Sequence, residues 1–183
     1  VAAERGAIAA AARWRVGGML LKACADAATA RHFEELRKQS IPVVLFSRVM
    51  FDAPFDIVTG ADEHDGYAVT RRLIAWGHRR IGHFAVGPDQ ALSYACYRTR
   101  GWRRALQDAG IDPAAMPFDD SATLQVDVEG VRARARAWLR AKNRPSAVFT
   151  GHLWQAVSVY LAARDLGLAI GRELSVVSFI GSA

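Results

Sequence analysis

The segment from Ile57 to Pro88 (IVTGADEHDGYAVTRRLIAWGHRRIGHFAVGP) most constrains how this chain can fold. It begins with a short apolar run and an acidic loop, continues as an amphipathic helical pattern that ends at Gly77, and closes with a second apolar run. Apolar runs that alternate with helical periods are typical of parallel β-α-β units, whose strands are covered on both faces. The sequence therefore predicts an α/β fold built on parallel sheets.

The same alternation continues on both sides of this segment. The predicted strands are Gly18–Leu21, Val43–Phe46, Ile57–Thr59, Ile81–Val86, Ala147–Thr150 and Leu174–Phe179. The predicted helices are Ala2–Arg13, Thr29–Gln39, Asp65–Trp76, Arg98–Ala109, Val128–Ala141 and Trp154–Leu166. Residues 112–125 are expected to form a polar connection. We place a lobe boundary after Gly77, which gives a partial N-terminal lobe (1–77) and a partial C-terminal lobe (78–183).

Composition favours a globular protein of the cytoplasm. Half of the 183 residues are apolar, no apolar run reaches the roughly 20 residues that a membrane span needs, and no signal peptide is visible. Cys24 and Cys96 lie far apart and fit a reducing compartment, with a single disulfide as the alternative. The net charge of +6 comes from arginines scattered along helices, which favours a solvated surface over a DNA-reading face.

Motifs for catalysis and metal binding are missing from the sequence. The five histidines show no metal-ligand spacing, and no nucleophile elbow, phosphate-cradling loop or dinucleotide-binding glycine pattern occurs. The sequence therefore gives no ground for an enzyme, a resident metal or a cofactor.

Several segments together resemble the effector-binding domain of the LacI/GalR family of bacterial transcription regulators. They are IPVVLFSR (41–48), LIAWGHRRI (73–81), RTRGWRRALQDAGI (98–111), RPSAVF (144–149) and LSVVSF (174–179). The resemblance implies a two-lobed, periplasmic-binding-protein-like (type I) fold with an incomplete first lobe, cut short at both ends. Such a truncated sheet is expected to expose strand edges and an apolar face, and to be poorly stable alone.

The resemblance also implies partners. These are a small-molecule effector (a sugar or related metabolite) held in a cleft between the lobes, a second copy of the chain, and operator DNA. The DNA would be bound by a helix-turn-helix that is absent from this chain. Effector binding would then change how a dimer presents its DNA-binding heads.

Site residues carry over by motif position. Ser47 and Arg48, Asp65 and Arg98 map to the cleft mouth, and Arg98 is the strongest candidate because a guanidinium donates in a planar fork to hydroxyls or carboxylates. Asp62 and Glu63, in the same loop as Asp65, are alternatives, and helix capping competes as a role for Asp65. We expect Arg98→Ala to abolish the effector response and to leave the melting temperature nearly unchanged.

The sequence departs from the family pattern at two places. His152 and Leu153 replace the usual Asn-Asp after a strand, and Ile180 replaces an acid after the last strand. His152 can still form hydrogen bonds, whereas Leu153 and Ile180 cannot accept a sugar hydroxyl. A more apolar or anionic effector, or a pocket without an effector, is therefore a reasonable hypothesis. Tyr94 and Trp154, with Tyr97, are candidates for an aromatic wall, with core packing as the commoner alternative.

Two other classes of protein compete with the regulator. One is a periplasmic sugar- or solute-binding protein of an ABC-type transporter, which an upstream export signal would indicate. The other is a nucleotide-binding enzyme of doubly wound fold, which needs a glycine-rich first turn.

Overall fold

The computed structural model describes residues 2–14, 16–22, 36–46, 55–85, 94–121 and 126–179, without the side chains of residues 2–5, 94 and 95. The helices are α1 (Ala2–Arg13), α2 (Asp62–Ala75), α3 (Tyr94–Asp108), α4 (Val128–Arg140) and α5 (Leu153–Asp165), with a short 3-10 helix at Pro113–Ala115. The strands are β1 (Met19–Leu21), β2 (Val43–Phe46), β3 (Asp56–Val58), β4 (Ile81–Phe84), β5 (Phe118–Asp119), β6 (Ala147–Thr150) and β7 (Ser175–Ser178). The expected α/β architecture with parallel sheets is confirmed.

Contacts divide the chain into two compact units, one of residues 1–60 and 91–94, the other of residues 61–90 and 95–183. Helix α2 belongs to the second unit in this division. The division therefore differs from the lobes expected from the sequence, whose boundary after Gly77 stays a prediction for the complete domain.

The first unit contains a three-stranded parallel sheet in the order β1-β2-β3. One face of this sheet is covered, because Val43 and Leu45 pack with Ile8 and Leu36 in one apolar cluster. On the strands of the same sheet, Leu20 and Val58 are about two-thirds exposed, at 67% and 64%. This unit therefore presents apolar strand residues to solvent, as the sequence analysis expected.

The second unit is built on a four-stranded parallel sheet in the order β5-β4-β6-β7. Strand β4 is completely buried and pairs with β6 from Ile81↔Ala147 to Phe84↔Thr150. One apolar cluster joins Phe84 and Val148 to α4 and α5, and another joins Ile81 and Phe149 to α2 and α3. This burial on both faces explains why β4 and β6 read as continuous apolar runs.

Two predictions about local structure need correction. The segment 112–125, expected as a plain connection, contains the 3-10 helix and the two-residue strand β5, which pairs with β4 through His83↔Phe118. Two helices begin earlier than predicted, α3 by four residues at Tyr94 and α2 by three residues at Asp62. The predicted helix 29–39 lies largely outside the described residues. Among the described residues, no helix combines the length and the apolar character that a membrane crossing requires.

Candidate functional site

The candidate site lies at the carboxyl edge of the four-stranded sheet. Because its strands are parallel, the residues that end or follow them meet at one edge, where open α/β sheets generally bind ligands. Asp119 ends β5, Ala85 follows β4, Gly151 follows β6 and Phe179 follows β7.

Arg98 is the centre of this edge. Its Nε donates to Oδ1 of Asp62 at 2.8 Å, and its Nη1 donates to the carbonyl oxygen of Gly151 at 2.8 Å. The guanidinium carbon lies 3.8 Å from the centroid of the Phe179 ring, so the cation stacks on an aromatic face. Both side chains of the ion pair are nearly buried, at 11% exposed for Arg98 and 10% for Asp62. Arg98 thus joins α2, α3 and the ends of β6 and β7.

The two residues of this ion pair lie near the N-termini of two helices that pack against each other. Asp62 lies in the first turn of α2, where a carboxylate also complements the helix dipole. Arg98 lies near the start of α3, whose Gly101 packs against the backbone of α2 with no space for a β-carbon. The close helix crossing therefore fixes the separation between the two charged groups.

A second polar group occupies the same edge at the end of β5. Asp119 is buried, and its Oδ1 accepts hydrogen bonds from the backbone N–H of Ser121 at 2.8 Å and from its hydroxyl at 2.6 Å. The guanidinium of Arg134, on α4, forms an ion pair with the other oxygen of Asp119. This group is not predicted from the sequence, because residues 112–125 read as a plain polar connection. The run Asp119-Asp120-Ser121 after an apolar residue was the available signal.

The start of α5 forms the third part of the edge. Buried Gln155 accepts a hydrogen bond from the backbone N–H of His152 at 3.0 Å and donates to the carbonyl of Ala85 at 2.9 Å. The rings of His152 and Trp154 are nearly parallel, at 14°, with centroids 6.5 Å apart. His152 therefore begins α5 beside the end of β6, and Gln155 ties that turn to β4.

The structure places the residues predicted for the site in different surroundings. Arg98, His152 and Trp154 all lie at the carboxyl edge. Asp65 is exposed in the first turn of α2, and it is the alternative, Asp62, that pairs with Arg98. Ser47, Arg48 and Ile180 lie outside the described residues, as does the side chain of Tyr94. The ligand-binding assignments themselves stay predictions.

His83 is buried in the core just below this edge. Its Nδ1 lies 3.0 Å from the carbonyl oxygen of Phe149, and its Nε2 lies 3.0 Å from the hydroxyl of Thr99. Because a carbonyl can only accept, Nδ1 carries the proton and Nε2 accepts from Thr99. The pKa of His83 is lowered to about 4, chiefly by burial and also by the nearby Arg103 and Arg98 guanidiniums, while the hydrogen bond to Phe149 acts in the opposite direction. The imidazole is therefore neutral at pH 7.

His78 lies at the opposite, amino-terminal edge of the sheet. Its Nδ1 is 2.8 Å from Oγ of Ser146 and its Nε2 is 3.1 Å from Oγ of Ser175, which connects the starts of three strands. Partial burial lowers the pKa of this imidazole. Among the described residues no group of three or more His, Cys, Asp or Glu side chains is arranged to hold a metal ion.

The fold defines a class, the parallel α/β domains, in which ligands generally bind at the carboxyl ends of the strands. The family profile described as "periplasmic binding protein-like domain" matches residues 70–183. The chain belongs to this family, and the relatives that it matches are regulators of the LacI/GalR type.

Individual relatives agree with this assignment. Catabolite control protein A of Priestia megaterium is 28% identical over 154 residues, which cover 82% of this chain and 44% of that protein. The ribose operon repressor of Escherichia coli K12 is 28% identical over 165 residues, covering 90% of this chain and 48% of that protein. A regulatory protein of the LacI family from Chloroflexus aggregans superimposes with a TM-score of 0.75 at 27% identity, covering 90% of this chain and 57% of that one. The chain thus spans about half the length of its relatives.

Proposed function

We propose that this chain is the ligand-sensing part of a LacI/GalR-type DNA-binding transcription regulator, acting as a repressor in the cytoplasm. The observation that carries the proposal is the Arg98–Asp62 ion pair at the carboxyl edge of the sheet, beside the start of α5. A charged group held almost out of water at the ligand-binding end of such a sheet is a typical recognition element. Ligand sensing of this kind consists of binding and a conformational change, and it requires no chemical reaction, metal or cofactor.

Arg98 has both a structural and a binding role in this proposal. Its hydrogen bonds to Asp62 and Gly151 fix the plane of the guanidinium, and the Phe179 ring supports one face. A donor that is held in place before the ligand arrives loses little conformational entropy on binding. The effector would gain a pre-oriented cation, and Asp62 would keep that cation compensated when the site is empty.

The chemistry at α5 narrows the class of effector. Leu153 is the first residue of α5 and is 51% exposed, so this position offers apolar surface where the family pattern has an acid. Trp154 and His152 add a pair of nearly parallel rings. We propose a small effector with an apolar or aromatic part and an oxygen-rich part for Arg98, such as a modified sugar or an organic acid, rather than an unmodified pentose or hexose.

We also propose that the regulator is a homodimer, and that α5 contributes to its interface. The buried face of α5 carries Ala156, Val159 and Ala163, yet its outer face carries Val157 and Tyr160, each about half exposed. Helices that are apolar on all sides are usually buried on all sides. A second copy of the chain would cover the outer stripe.

A ligand screen on the full-length protein tests the sensing role. Thermal shift with monosaccharides, sugar phosphates and small carboxylic acids should identify a stabilising compound, whose affinity calorimetry then measures. Arg98→Lys keeps the charge but loses the planar fork, so affinity should fall about tenfold to a hundredfold, as expected for the loss of one charge-assisted hydrogen bond. Arg100→Lys, on an exposed neighbour in the same helix, is the matched control and should bind normally. Unchanged affinity in Arg98→Lys would refute the assignment of Arg98.

A further inference from the structure

His83 connects the centre of the sheet to the helix that carries Arg98, and two separate routes make this connection. It lies on β4, between β5 and β6 in the sheet order, and is completely buried. A polar side chain in such a place must satisfy both of its ring nitrogens within the protein. Both are satisfied, one by Phe149 of the neighbouring strand and one by Thr99 of α3.

The first route is the hydrogen bond to Thr99. Thr99 directly follows Arg98 in α3, and its hydroxyl lies 3.0 Å from Nε2 of His83. Because Nδ1 of the neutral ring donates to a carbonyl, Nε2 has no proton, and the Thr99 hydroxyl must point toward it. This directional bond fixes the rotation of the first turns of α3 against the sheet.

The second route runs through aromatic rings. The His83 ring stacks on Phe149, with centroids 4.5 Å apart and planes inclined by 11°. Phe149 contacts Phe179 at 5.7 Å between centroids, and Phe179 lies under the guanidinium of Arg98 at 3.8 Å. The same imidazole thus supports both the backbone next to Arg98 and the ring beneath its side chain.

We propose that His83 and Thr99 are positioning residues for Arg98: their buried hydrogen bond holds the start of α3 so that the guanidinium meets Asp62, Gly151 and Phe179 together. The consequence for effector affinity rests on the proposed function of Arg98. The positioning itself does not, because it concerns contacts of the effector-free protein.

The test follows the Nε–H of Arg98 by ¹H–¹⁵N NMR in the effector-free full-length protein at pH 6. A guanidinium Nε–H that donates to a nearly buried carboxylate exchanges slowly with water. Thr99→Val removes the hydroxyl and keeps the branched shape, and we expect Arg98 Nε–H exchange to become at least tenfold faster. Thr99→Ser keeps the hydroxyl and should restore exchange to within about twofold of the parent. If Thr99→Val does not fold, Thr99→Ala provides the same loss of the hydroxyl with a smaller side chain.

A core variant on the other face of the sheet separates positioning from general loss of stability. Val159→Ala weakens the cluster that Phe84 forms with α4 and α5, which is separate from the cluster that contains α3. Unchanged Nε–H exchange in Thr99→Val, or equal acceleration in Val159→Ala, would overturn the proposal. Because no effector is present, this result is independent of the ligand screen, and the proposed function can fail while the positioning holds.

Discussion

Gly101 of α3 faces Gly66 of α2 at a crossing where neither residue has space for a β-carbon. A β-carbon on Gly101 would overlap the carbonyl oxygen of Glu63 and lie 2.5 Å from the backbone nitrogen of Tyr67. A β-carbon on Gly66 would lie 2.5 Å from the carbonyl oxygen of Arg98. The two glycines therefore set how closely Asp62 and Arg98 approach each other.

Gly101→Ala should force the two helices apart, because the obstructing atoms belong to the backbone and cannot rotate away. We expect a loss of about 2–3 kcal/mol in the free energy of unfolding, near the upper end for overpacking. Urea denaturation followed by circular dichroism measures it. Gly6→Ala, in α1, is the control: no atom lies within 4 Å of its added β-carbon, so stability should be unchanged or slightly raised. Equal stability of Gly101→Ala and the parent would contradict the crossing.

Asp62→Asn should destabilise the second unit by about 3 kcal/mol. The substitution leaves the nearly buried guanidinium of Arg98 without its counter-charge. An uncompensated charge in such a place strongly lowers the free energy of unfolding. Asp65→Asn changes the same charge on an exposed residue of the same helical turn and should cost under about 0.5 kcal/mol. Urea denaturation compares the two variants, and similar losses in both would show that the ion pair contributes no more than an exposed carboxylate.

The stability of the second unit should fall as the pH drops from about 6.5 to 4. Burial lowers the pKa of His83 from the ordinary histidine value of 6.5 to about 4, so between these pH values the unfolded chain binds a proton that the folded chain does not. Because the pKa of His83 is lower in the folded state, the neutral imidazole contributes its full stability above pH 6.5. This contribution is lost as the pH falls toward the folded-state pKa. The loss is about 3 kcal/mol over this range.

His83→Leu isolates this contribution from the carboxylates that also titrate in acid. The variant should be less stable at pH 7, since it leaves the Phe149 carbonyl without this donor. Its unfolding free energy should nevertheless depend less on pH between 6.5 and 4 than that of the parent. Parallel pH profiles of the two proteins would show that His83 is not held neutral by the fold.

Val157→Lys should convert the proposed dimer into monomers, because it places a charge on the apolar outer face of α5. Sedimentation velocity of the full-length protein measures this change. Trp76→Lys, on a side chain that is 64% exposed at the end of α2, is the matched control and should leave the assembly intact. A dimer that persists in Val157→Lys would place the interface elsewhere, and a monomeric parent protein would refute the proposed dimer.

Helical periodicity and apolar runs predicted most of the described fold from sequence. The spans of α1, β2 and β6 agree with the prediction, because each has a clear apolar pattern and a polar or glycine-containing boundary. Strand β5 was not predicted, because two residues are too few to show an alternating apolar pattern. The strand is defined only by its pairing with β4. The local apolar pattern therefore predicts helices and strands that are long enough to show a period of their own, and it does not predict those defined only by pairing.

The environment of Arg98 could not be predicted in the same way. From sequence it appeared to be an arginine at a helix start whose loss would leave the melting temperature unchanged. The structure shows it in a nearly buried ion pair with a residue 36 positions away, so Arg98→Ala should also lower stability. The choice of Asp62 over Asp65 depends on the close crossing at Gly101, which no single-sequence pattern contains.

The coding sequence upstream of Val1 tests the central claim most directly, because it decides whether this domain senses a ligand for a DNA-binding regulator. We predict a helix-turn-helix and a short linker, followed by a strand, a helix and a second strand that lead into α1. An export signal directly ahead of that first strand would contradict the account and make the protein a periplasmic solute receptor instead.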